Sequence, residues 1–203
     1  MPDTMTQLTH IVVDIETLGV NDVNTTILSI AAVPFRFGEV VPYDELIKSG
    51  FYRKLNAADQ LKRGRSKERS TVEWWQSQSK EAQQNGFLPT KEDVTIDQAL
   101  RELAHWVKTQ TDYDFRNSWI WCRGLDFDKP KVDAAYQFVG IETPFNMWRW
   151  RDIRTMIDVL TGSNNGKYIM DTEPANFVPH HCLHDAAHDA AVMQEIYDKL
   201  YSE

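Results

Sequence analysis

Cysteine is nearly absent from this chain: Cys122 and Cys182 are the only two among 203 residues. With no CxxC spacing they offer neither a disulfide framework nor a cysteine-ligated metal, and the plain expectation is two buried thiols in a reduced, cytoplasmic protein. No apolar run reaches the roughly 18 residues of a spanning helix, so no membrane partner is expected. The start, Met1 to Thr6, lacks the basic and apolar stretches of a signal peptide. Positive charge is short as well: 22 Lys and Arg face 30 Asp and Glu, a net charge of −8. That balance argues against an extended grip on duplex nucleic acid, which takes many phosphate contacts. It leaves room for a site that holds one strand end, where clustered carboxylates are offset by bound cations. Repeats and low-complexity tracts are also missing.

What is present is apolar residue enough, 42%, to bury one core, read as a single domain over residues 1–203. Ile11 to Glu16 is a short β-branched run, a buried-strand pattern. Thr26 to Phe37 predicts a second strand and Ser49 to Leu55 a third, with Gly19, Asn21, Asp22 and Asn24 in the first turn. Ser70 with Glu73, and Thr95 with Gln98, match capping boxes that open helices. Behind the second, Ile96, Leu100, Leu103 and Val107 make one apolar face. Trp119 to Cys122 predicts a strand, and Val132, Ala135, Tyr136 and Val139 a helix with Pro130 in its first turn. No period survives from Thr161 to His180, and a last helix is expected from about Asp185 to Leu200. Strands, then helices mixed with strands, read as a mixed sheet with helices on its faces, an α/β domain.

The acidic residues carry the chemistry. Asp14 and Glu16 are two apart on a strand, so both side chains leave the same face. Their α-carbons would lie roughly 6.6 Å apart, and at an effective dielectric of about 20 the charges repel by about 2.5 kcal/mol. A divalent cation between them removes that cost, and hard cations prefer carboxylate oxygen; the plainer reading is a strand end where two acids face water. Asp189 falls inside the seam formed by Ala186, Ala190, Met193, Tyr197 and Leu200, so it points at the core and needs a partner, an Arg or a metal. His184, five residues earlier, would lie about 140° away on a straight helix. It is therefore placed at or before the helix start, where an imidazole near a metal-bound water would be a general base. Asp128 stands at a strand-to-helix junction, where Asp is a favoured N-cap and where α/β folds place ligands.

These residues, in this order, resemble the DEDDh group of DnaQ-like 3′–5′ exonucleases. Asp14-Ile15-Glu16-Thr17 is similar to the first motif of that group. Gly124, Phe127, Asp128 and Pro130 are similar to the second, G-x-x-F-D-x-P, and His184, Ala186, Asp189 and Ala190 to the third, H-x-A-x-x-D-A. Residues 27–33, 71–75 and 151–155 resemble the phage exonuclease A and exonuclease VIII-like branch. The resemblance implies a ribonuclease-H-like mixed sheet flanked by helices. It implies two Mg²⁺ or Mn²⁺ ions on Asp14, Glu16, Asp128 and Asp189, and His184 as the general base. Thr17 and Leu18 would meet the 3′-hydroxyl and the terminal base, with Phe127 also on the substrate. The substrate implied is the 3′ end of single-stranded DNA, with RNA as the alternative, and the product a nucleoside 5′-monophosphate.

Two rivals remain in view. His184-Asp185-Ala186-Ala187-His188 mimics the H-E-x-x-H spacing of zinc hydrolases, with His180 and His181 nearby. That reading needs Asp for the usual Glu and leaves Asp14 and Glu16 unexplained. A non-catalytic nucleic-acid-binding domain is the other, although all five catalytic side chains are present. Finally, Arg53, Lys54, Lys62, Arg63, Arg65, Lys67 and Arg69 crowd one segment against only Asp59 and Glu68. Either residues 62–69 are a solvated loop, or they guide the phosphates of the strand; failing that, the strand's path is to be sought elsewhere, for instance near Arg149, Arg151 and Arg154.

Overall fold

The computed structural model describes residues 8–111 and 114–201; the Met1 to Thr6 segment lies outside them. Strands β1 (His10–Thr17), β2 (Ile27–Phe35), β3 (Phe51–Lys54), β4 (Ile120–Cys122) and β5 (Trp150–Asp152) form one sheet in the order β3-β2-β1-β4-β5. β1 pairs antiparallel with β2 and β2 with β3, whereas β4 and β5 join in parallel. Pro34, which cannot donate to a ladder, stands in β2 past Ala32, where pairing with β3 ends.

Helices α1 (Tyr43–Ser49), α2 (Ala57–Lys62), α3 (Arg69–Ser77), α4 (Ile96–Gln110), α5 (Asp128–Val139), α6 (Ile153–Thr161) and α7 (Cys182–Tyr201) surround it. The alternation of β1 sorts its side chains between two cores. Ile11, Val13 and Ile15 pack with Ile96, Leu100 and Leu103 of α4 and Val132 of α5. Val12 packs on the opposite face with Trp121, Ile153, Ile157 and the buried Ala186, Ala187, Ala190 and Ala191 of α7. Those alanines have no bulk beyond Cβ, so α7 lies close on the face that also carries Asp14 and Glu16. This packing positions the site.

Several local expectations meet their structure here. Thr95 caps α4, its hydroxyl accepting from the Gln98 N–H at 3.2 Å. Ser70 and Glu73 do not form the expected box; α3 starts at Arg69, and Glu68 turns its carboxylate to the Asn21 N–H instead (2.7 Å). Helices α1 and α2 occupy stretches where short length hid the period. Both cysteines are buried free thiols. No helix among the described residues is long and apolar enough to cross a membrane.

The basic segment is mostly committed to structure. Arg65 is 3% exposed, its guanidinium donating twice to the Thr25 carbonyl and lying against Phe138. Arg63 pairs with Asp97 and Asp59, and Arg69 with Glu73. A side chain already spent on a buried carbonyl cannot reach a phosphate without breaking the fold.

Candidate active site

Asp14 and Glu16 leave β1 on the α7 side and meet Asp185 there: one carboxylate oxygen from each of the three lies within 4.8 Å of the others. Asp128 joins from the first residue of α5. Although Asp is a favoured cap, this carboxylate does not cap its own helix; it is buried and accepts the backbone N–H of Ile15, between the two acids of β1. Asp189, 5% exposed, sits one turn after Asp185 on the same face of α7. Arg123, just past β4, holds it with bonds of 2.6 Å and 2.8 Å. The Arg partner expected as the plain alternative for Asp189 is therefore present, and its remaining nitrogen Nη1 donates to the Gly166 carbonyl.

Burial and mutual repulsion dominate the electrostatics. Burial first, then the charges of Asp128, Glu16, Asp185 and Asp189, push the Asp14 carboxyl well above the ordinary range. Glu16 rises to about 8, from burial and then Asp185 and Asp128. Asp128 rises likewise, from burial and Asp189, with Lys131 pulling back. Asp185 rises to about 7, burial again leading. Asp189 is raised by burial against the opposing pull of Arg123. Asp14, Glu16 and Asp185 have no salt bridge among the described residues, and their all-oxygen donors suit a hard divalent cation. Asp14, Glu16 and Asp185 fit a divalent cation, whereas Asp128 lies outside that group and Asp189 is held by Arg123.

The cleft above the carboxylates has a volume of 690 Å³. Arg123, Arg154 and Lys167 stand on its wall, and His180 and His188 reach it. His184 does not. Helix α7 begins at Cys182, earlier than expected, so His184 is inside the first turn and rotated off the face of Asp189. Its Nδ1 is 2.8 Å from the Tyr43 hydroxyl, and its ring also bonds the Asn176 main chain. The early start has a local cause: Asp185 accepts the backbone N–H groups of His180 and His181, capping the turn, and the buried Cys182 thiol donates to the Ser29 hydroxyl at 3.2 Å. Residue typing alone passed over Asp185, yet its spacing of four from Asp189 was the available signal.

A second cavity of 370 Å³ adjoins the first, sharing Glu16 and Phe127 with it. Thr17, Val20, Ser70, Thr71, Trp74 and Trp75 complete its wall. Of the expected substrate contacts, Thr17 and Phe127 line it. Leu18 does not: it is 4% exposed and packs with Leu28 and Trp75 beneath, whereas Val20 is 55% and Trp74 41% exposed. The Trp75 indole donates to the Thr17 carbonyl at 3.0 Å and fixes the backbone that follows the acid pair. Gly19 is needed there, since a Cβ would come within 2.5 Å of the Thr25 hydroxyl.

The chain is similar to known proteins in sequence and in fold. A family model described as the 3′–5′ exoribonuclease Rv2179c-like domain matches residues 9–197. An exodeoxyribonuclease of Enterobacteria phage T4 is 30% identical over 204 residues, covering 90% of this chain and 86% of that protein. Among solved structures, the nuclease domain of 3′hExo, a DEDDh family member bound to rAMP, superposes with a TM-score of 0.63 at 13% identity, covering 96% of this chain and 92% of that one. E. coli exonuclease I in a zinc-bound complex with single-stranded DNA superposes at 0.56 and 13% identity, covering 96% of this chain and 41% of that one. The fold is thus the ribonuclease-H-like sheet of the DEDDh nucleases, and the chain belongs to the Rv2179c-like 3′–5′ exoribonuclease domain family of DnaQ-like 3′–5′ exonucleases.

Proposed function

We propose that this protein shortens single-stranded DNA from its 3′ end and releases nucleoside 5′-monophosphates. The observation that carries the reading is the meeting of β1 and α7 carboxylates at the floor of a cleft that opens into an aromatic slot. Asp14, Glu16, Asp128 and Asp189 would hold two Mg²⁺ or Mn²⁺ ions, with Asp185 as an added donor. Bound there, such ions supply Lewis-acid stabilisation of the attacking and leaving oxygens of an in-line displacement.

The chain's own groups divide the remaining tasks. Ile15 anchors Asp128 through its N–H, and Trp75 holds the Thr17 carbonyl where the 3′-terminal sugar would lie. Val20, Trp74 and Phe127 would flank the terminal base, and stacking on such faces tolerates any base. His184 would take the proton of the attacking water once the first turn of α7 opens and its bonds to Tyr43 and the Asn176 main chain break. His188, on the cleft with Nε2 2.9 Å from Glu173, is the rival base.

The preference for DNA rests on the branch resemblance and on the phage relative, named an exodeoxyribonuclease. The family model is named for an exoribonuclease domain, which favours RNA as the second reading. Discrimination depends on how closely the site approaches the 2′ position. Matched DNA and RNA oligonucleotides, labelled at either end and incubated with Mg²⁺ or Mn²⁺, decide between them. Stepwise loss from the 3′ end of DNA supports the proposal; faster loss from RNA reverses the substrate, and internal cuts or release from the 5′ end overturn the exonuclease reading.

A further inference from the structure

Of the three cations on the cleft wall, Arg123 donates to Asp189 and to the Gly166 carbonyl. Arg154 is differently placed. It is the second residue of α6, whose start is fixed by Asp152 capping the Thr155 N–H at 2.8 Å. Its charge acts on Asp128, Asp152 and Asp189, yet its guanidinium has no hydrogen bond or ion pair among the described residues. Its path is built. A Cβ on Gly166 would stand 2.6 Å from Cβ and Cγ of Arg154, and one on Gly124 would lie 3.4 Å from Nη1. Both glycines have positive φ, 64° and 129°, a backbone that side chains disfavour. Gly166 thus makes room for the arginine stem, Gly124 stands in ordinary contact with the head, and that head is left without a partner in a cleft lined by carboxylates.

We propose that Arg154 binds the phosphate of the 3′-terminal nucleotide, presenting its guanidinium fork to the non-bridging oxygens beside Asp128 and Asp189. A planar guanidinium matches a phosphate with paired N–H bonds. The inference rests on the exonuclease reading above and adds the residue that selects a phosphate-bearing ligand. A general counter-charge for the carboxylates is the competing role, and it differs in one respect: it would not distinguish a nucleotide from a nucleoside.

The test measures binding of deoxyadenosine 5′-monophosphate and of deoxyadenosine, both with Ca²⁺, to the wild type, Arg154→Gln and Arg154→Lys. Loss of a charged hydrogen bond should weaken the monophosphate roughly 10- to 100-fold in Arg154→Gln. Deoxyadenosine should hold within about twofold, and Arg154→Lys should recover part of the loss, as a point charge in place of a fork. Equal weakening of both ligands, or of neither, overturns the assignment. If the wild type releases no 5′-monophosphate from any oligonucleotide, the exonuclease reading fails first and takes this inference with it.

Discussion

Raising the pH of the metal-free protein should destabilise it, and the carboxylate cluster sets the window. Glu16 is lifted from 4.5 to about 8 and Asp185 from 3.8 to about 7. A carboxyl whose folded pKa is raised binds its proton more tightly in the native state, so the native state holds more protons than the unfolded one between those values. Stability is then complete below the unfolded pKa and is lost as pH climbs through the folded one. For Glu16 alone the loss reaches about 5 kcal/mol at most. The repulsions are shared, so contributions do not add, and about 3–5 kcal/mol for the cluster is the expected order. In a domain of this size that lowers the melting temperature by about 10 °C between about pH 5 and pH 9. The assay is thermal melting across that range in EDTA, with Asp14→Asn as the reference that removes one charge and leaves the rest of the surface alone. The variant should show a shallower decline. Saturating Mg²⁺ should flatten the wild-type curve, because a cation binding only the native state stabilises by about 3 kcal/mol at a hundredfold excess over Kd. Parallel curves for wild type and Asp14→Asn in EDTA would refute the reasoning.

Three further outcomes are expected. His184→Ala should lower turnover by about 10²–10⁴-fold while Mg²⁺ still raises its melting temperature; a crippled His188→Ala beside a nearly normal His184→Ala in the same rate assay would transfer the role. Arg65→Ala should cost about 1–3 kcal/mol in chemical denaturation by orphaning the Thr25 carbonyl, and the salt dependence of oligonucleotide binding should not change; a slope flatter by about 0.7 would return that arginine to the phosphates. Trp74→Ala should weaken single-stranded oligonucleotide binding by about 1–3 kcal/mol, as for a lost stacking face, with melting temperature little altered; unchanged affinity by titration would place the terminal base elsewhere.

The local pattern alone was enough for what depends on periodicity. Alternation along Ile11 to Glu16 placed Asp14 and Glu16 on one face, and the helical seam around Ala186 and Ala190 turned Asp189 inward, because strand and helix directions follow from spacing without knowledge of neighbours. The Thr95 cap was legible for the same reason: its partner is three residues away. Everything decided by distant partners was not. Whether Arg63 and Arg65 met phosphate or protein depended on Asp97, Thr25 and Phe138 lying beside them. Leu18 is absent from the wall of the second cavity because Leu28 and Trp75 bury it. His184 turned to Tyr43 because Asp185 capped, and Ser29 met, the turn just before it, and a residue drawn into the helix five positions before Asp189 is held about 140° away from it. Spacing determined which faces carry charge; only packing between β1, β4, α6 and α7 determined which of those charges meet, since carboxylates and arginines far apart in the chain share a field only once the fold excludes the water between them.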